Sequence, residues 1–109
     1  MKEIIFYKTI DNKIPFFDWF FSLKDKTTKQ KIYSRLKQVK EGNLGDHKFE
    51  KQGVWELRFR NGTRIYYGLD GNVLVVLLYG GTKRQQQKDI TVSVNYWEDY
   101  KKTKRGIKK

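Results

Sequence analysis

Two alternating segments separated by three residues constrain this chain more than any other feature. Trp55, Leu57 and Phe59 form one parity of the first segment, and Ile65, Tyr67 and Leu69 one parity of the second. Side chains alternate along a strand, so the two apolar sets share a face only if paired residue numbers sum to an even number. A two-residue Asn61-Gly62 turn would pair Arg60 with Thr63, set Arg64 against the apolar face and push Ile65 off it. A three-residue loop, Arg60-Asn61-Gly62, satisfies both sets, with Gly62 in the left-handed position of a bulged type I turn. Phe59 then pairs with Thr63 and Arg58 with Arg64.

This register places Glu56 and Arg58 on the same side as Arg64 and Tyr66, opposite the core. Arg58 across from Arg64 is a like-charge pair and unfavourable by itself. Either Glu56 relieves it or an anion sits there. Two guanidiniums converging on one point suit a phosphate, because each offers a planar fork of donors.

The remaining elements follow from local patterns. Ile4 to Tyr7 reads as a strand. Pro15 opens a short helix with Phe16, Trp19, Phe20 and Leu23 at helical spacing. Asp25 to Thr28 supply N-cap candidates for a second helix, whose apolar stripe is Ile32, Leu36 and Val39 and which ends at Glu41-Gly42-Asn43. The two form an αα-hairpin. Leu44 to Gly53 reads as a polar loop. Asp70-Gly71 marks a second hairpin. The unbroken apolar run Val73 to Leu78 requires cover on both faces, and Gly80-Gly81 ends it. Asp89 is placed to cap a last helix carrying Ile90, Val94 and Trp97 on one face. Residues 101–109 hold five Lys and one Arg and read as a basic tail, disordered at its end. The expected architecture is α+β: one domain over 1–109, an antiparallel central sheet with an N-terminal helical hairpin and a C-terminal helix packed on one side of it.

Charge narrows the function classes. The chain carries 24 Lys and Arg against 12 Asp and Glu, a net +12. So large an excess costs self-repulsion and attracts polyanions, nucleic acid before an anionic membrane. There is no cysteine, hence no disulfide, thiolate metal site or thiol nucleophile. The N-terminal apolar run is too short for a signal peptide, and no stretch approaches membrane-spanning length. The cytoplasm is the expected compartment.

The chemistry open to such a chain is limited. A metal-dependent nuclease needs clustered carboxylates or histidines; this sequence has one His and no carboxylate cluster at useful spacing. A triad hydrolase lacks a nucleophile-elbow signature. No metal or cofactor is expected. What remains is metal-free RNA cleavage, in which the RNA supplies its own 2′-hydroxyl nucleophile and the protein orients it, stabilises the phosphorane and protonates the leaving oxygen.

Residues in these elements resemble a known family. Gly53-Val54-Trp55-Glu56-Leu57-Arg58, Arg64-Ile65-Tyr66-Tyr67, Leu77-Leu78-Tyr79-Gly80-Gly81-Thr82-Lys83 and Gln87-Lys88-Asp89-Ile90 are similar to the addiction-module killer branch of RelE/HigB toxins. Pro15-Phe16, Trp19, Gly42-Asn43 and Gly45-Asp46 match as well, so the likeness covers nearly the whole chain in order. It implies a RelE-like fold and a ribosome-dependent mRNA endonuclease that inhibits translation, contacts ribosomal RNA and is neutralised by a cognate antitoxin. It implies catalytic roles for Arg58, Arg64, Lys83 and Arg84. Thr63 replaces the usual tyrosine before Arg64. Two departures bear on the chemistry: Glu56 stands where RelE has a lysine, and the tyrosine that RelE carries near its C-terminus has no counterpart placed in this sequence. Arg58 is too basic for a general base, so Glu56 or a neutralised lysine is the expected proton acceptor. Tyr66, Arg60, His47 and Lys48 are the expected RNA contacts. The competing readings are a non-catalytic ParE-like toxin that poisons gyrase and a plain nucleic-acid-binding module.

Overall fold

The computed structural model describes residues 1–108. Its elements run β1 (Glu3–Tyr7), α1 (Pro15–Ser22), α2 (Lys26–Lys40), β2 (His47–Lys51), β3 (Val54–Arg58), β4 (Thr63–Asp70), β5 (Leu74–Thr82), a 3₁₀ turn (Lys83–Gln85), α3 (Gln86–Thr103) and β6 (Gly106–Lys108). The strands form one sheet in the order β2-β3-β4-β5-β1-β6. The fold is α+β, but the sheet is mixed rather than antiparallel: β1 lies parallel to β5, with Ile4 beside Val75 and Phe6 beside Leu77.

The β3–β4 hairpin has the register its parity demands. Arg58 pairs with Arg64, Leu57 with Ile65 and Trp55 with Tyr67. The Phe59 N–H donates to the Thr63 carbonyl at 3.1 Å, and Gly62 takes φ +93°, which a glycine adopts without strain.

Helices cover both faces of the sheet, not one. Phe16 of α1 and Ile32 and Val39 of α2 pack on Ile4, Phe6, Leu57, Ile65, Tyr67, Val75 and Leu77. On the other face, Ile90, Val94, Trp97 and Tyr100 of α3 pack on Ile5, Tyr7, Val54, Tyr66, Val76 and Leu78. Consecutive residues of β1 and β5 thus alternate between two cores, which is why Val73 to Leu78 shows no polar interruption.

Four local expectations change. Gly80-Gly81 does not end β5; the strand runs on to Thr82. A Cβ at Gly80 would run into the Trp19 indole on one face, and one at Gly81 into the Asp89 carboxylate on the other. The glycines admit close neighbours rather than turn the chain. Asp89 lies inside α3, three residues past its start, and is buried instead of capping. Residues 47–51 form edge strand β2, and residues 101–108 of the basic segment are tied down; Lys109, the end expected to be disordered, lies outside the described residues. Lys101 to Thr103 complete α3, Lys104 closes it at φ +57°, and Gly106–Lys108 pair with β1.

Candidate nucleic-acid interface

Arg58 and Arg64 sit opposite each other at the end of the β3–β4 hairpin, and each has its own carboxylate. Arg58 Nη2 lies 2.9 Å from Asp46 Oδ1, and its Nε donates to the same oxygen at 3.2 Å. This bond holds the Asp46 carboxyl below the ordinary carboxylate range. Arg64 Nε lies 3.6 Å from Glu56 Oε2, an ion-pair distance too long for a hydrogen bond. Its Nη1 donates to the carbonyls of Phe59 and Thr63 at 3.2 and 3.1 Å. The like-charge pair is therefore relieved from two directions, by a loop aspartate and a strand glutamate.

These groups open into a cleft of about 960 Å³ between α2 and the hairpin. Arg58, Arg60 and Arg64 line it from the hairpin, Lys31 and Arg35 line it from α2, and Asp46 is the carboxylate among its walls. Its size is at the upper end of ligand pockets, wide enough for a nucleotide segment rather than a single ion. A second hollow adjoins it across the turn. Asn61, Gly62, Thr82, Lys83, Arg84 and Gln85 line that one, and the Lys83 N–H donates to the Gly62 carbonyl at 2.8 Å.

Arg35 was not singled out by the sequence and is the most firmly held member of the cleft. Its Nη2 and Nη1 donate to the Arg58 carbonyl at 2.6 and 3.0 Å, and its guanidinium stacks 4.5 Å from the Phe59 ring centroid. Burial pulls its pKa down from the usual arginine value. The available signal was Arg35 as the one arginine in a lysine-rich helix, on the polar stripe Thr27, Lys31, Ser34, Gln38.

The expected site residues thus divide. Arg58, Arg60 and Arg64 share one cleft, and Lys83 and Arg84 lie exposed in the next hollow. Glu56 and Tyr66 are fully buried under α3 and line neither hollow. Tyr66 packs in the α3 core and cannot stack on a base. Glu56 accepts from Gln86 Nε2 at 2.7 Å and lies behind Arg64, so it is an ion-pair partner out of reach of substrate, not a general base. His47 and Lys48 are exposed on edge strand β2 and line neither hollow; His47 Nδ1 lies 2.8 Å from the Gly45 carbonyl oxygen.

Burial pushes the Glu56 carboxyl above its ordinary value near 4.5, and the neighbouring Glu50 carboxyl adds to this; Gln86 and Arg64 pull the other way. For a carboxyl raised in the folded state, the stability it contributes is complete below the unfolded value. It is lost as pH rises through the folded value. Glu56→Gln should therefore flatten the fall in stability as pH rises from about 4.5 towards neutrality. Thermal melts of both proteins across that window check this; parallel pH profiles would contradict it.

Fold and cleft define a small α+β domain with a cationic hairpin end. The family model described as phage derived protein Gp49-like (DUF891) matches residues 18–93, and the chain belongs to that family. The family is toxin–antitoxin-associated. A protein of Haemophilus influenzae (strain Rd), named only as an uncharacterized protein, is 41% identical over 83 residues, covering 74% of this chain and 84% of its own. Among the described residues, no helix is long and apolar enough to cross a membrane.

Proposed function

We propose that this chain is the toxin of a toxin–antitoxin module and a RelE/HigB-type endoribonuclease that cuts messenger RNA on the ribosome, in the cytoplasm. The observation that carries the reading is the cleft in which Arg58, Arg60 and Arg64 meet Arg35 and Lys31. Most of these cations are fixed by hydrogen bonds or stacking, so they are oriented before a phosphate arrives, as transition-state stabilisation requires.

In this reading the scissile phosphate lies between Arg58 and Arg64, whose N–H groups stabilise the charge that grows on the phosphorane. Lys83, on the 3₁₀ turn beside the hairpin, protonates the leaving 5′-oxygen, and Arg84 beside it adds positive charge. Asp46, the carboxylate lining the cleft, accepts the 2′-hydroxyl proton in place of the buried Glu56. Lys24, Lys26 and the other exposed lysines serve as diffuse contacts to ribosomal RNA.

Induced expression in a bacterium tests the reading. Growth arrest with transcripts cut inside translated codons is the expected result, with Lys83→Ala and Asp46→Asn both relieving it. Arrest with DNA damage and intact mRNA would favour a gyrase poison, and no arrest a plain binding module. A toxic Asp46→Asn variant would remove Asp46 as proton acceptor.

A further inference from the structure

A second surface lies on the opposite flank of α2 from the basic cleft. Lys29, Tyr33, Leu36 and Lys40 follow one another at three- and four-residue spacing and form one stripe of the helix. This stripe meets Phe20 and Phe21 of α1 across a groove of about 160 Å³ floored by Phe6, Phe16 and Ile32. A dry apolar cavity of about 150 Å³ holds one benzene-sized group, so the groove accepts one bulky apolar side chain. Its rim is left to solvent: Phe21 is 68% and Tyr33 73% exposed.

Charge decides what can dock here. Helix α2 carries five lysines and one arginine and no carboxylate. Lys40 is the charged residue among the groove walls, and the Lys29 ammonium lies 5.7 Å over the Phe20 ring. A second copy of this chain, at net +12, would bring like charge to a basic rim. A partner of opposite sign gains from the same lysines, both in steering and in register. We infer that this groove docks an acidic amphipathic segment of the antitoxin, which inserts one large apolar side chain and sets carboxylates against Lys29 and Lys40. The assignment rests on the chain being the toxin of its module. It places partner binding apart from the cleft, with α2 as the wall common to both.

Co-expression with the product of the adjoining reading frame, followed by titration of the purified proteins, tests it. Tyr33→Asp and Phe21→Asp change exposed groups and should leave the thermal melt near wild type. Each should weaken the complex at least about tenfold, since apolar anchors dominate such interfaces. A Lys29→Glu/Lys40→Glu variant should weaken it comparably, and Lys83→Ala should not. Tyr33→Asp and Phe21→Asp, which touch no lysine, should still arrest growth when expressed alone. A complex that survives both aspartate substitutions overturns the groove while leaving the toxin reading intact. No complex with the wild-type chain overturns the partner reading and the groove with it. Self-association, or binding to anionic vesicles, that is lost with Tyr33→Asp would give the groove to another occupant and overturn the assignment.

Discussion

Removing the Arg64 guanidinium is expected to lower cleavage by about 10² to 10³-fold, the usual loss when one preorganised donor to a transition-state oxyanion is deleted. The substitution must respect its surroundings. Arg64 is buried, and alanine would leave Glu56 without its cationic partner. Breaking a buried pair from one side costs about 3–5 kcal/mol, whereas replacing both members can be nearly neutral. The informative variant is therefore Glu56→Gln/Arg64→Gln, which removes both charges and keeps the packing. It should remain folded, cease to arrest growth and bind RNA less well. Glu56→Gln alone should keep much of the activity, because Arg64 still donates to the Phe59 and Thr63 carbonyls. A folded double variant that cleaves at the wild-type rate would remove Arg64 from the site.

The largest stability effect is expected at Trp97. Its indole is 6% exposed, stacks on Tyr100 with centroids 5.4 Å apart, and fills the space that Gly53 and Gly68 leave by having no side chain. Neither glycine could supply the missing volume, so Trp97→Ala opens a cavity bounded by strand backbone that collapses poorly. The cost should be about 3–5 kcal/mol out of a total of about 5–15. For a domain of this size that is a fall of more than about 10 °C in Tm. Denaturant melts read the loss, and a cost below about 1 kcal/mol would contradict the packing described for α3.

The hairpin register was legible in the sequence because a one-residue slip would invert both apolar sets, and only one slip class buries them. Cover on both faces of β5 was legible for a similar reason. The expected one-sided packing of helices gives way to it. Edge strands β2 and β6 were not legible. Their side chains stay largely exposed, and backbone pairing with β3 and β1 gives no hydrophobic alternation to read. The parallel β1–β5 pairing joins residues about seventy positions apart, and no local pattern records that. The site divides in the same way. Arg58 opposite Arg64 follows from register. Glu56 beside Arg64 follows from it too, but the groups on Arg58 do not, because Asp46 and Arg35 reach it from a loop and a helix distant in the chain. The placement of Glu56 and Tyr66 depended on whether the second sheet face was open, and α3 closes it.

The central claim is that the cationic cleft cuts RNA through the RNA's own 2′-hydroxyl. The most direct measurement is the chemistry of the new ends, in a purified translation reaction with an mRNA carrying one 2′-deoxy nucleotide at the mapped cleavage position. Upstream fragments ending in a 2′,3′-cyclic phosphate, with no cutting at the deoxy position, are the expected result. Fragments ending in a 3′-hydroxyl, or equal cutting at the deoxy position, would contradict it.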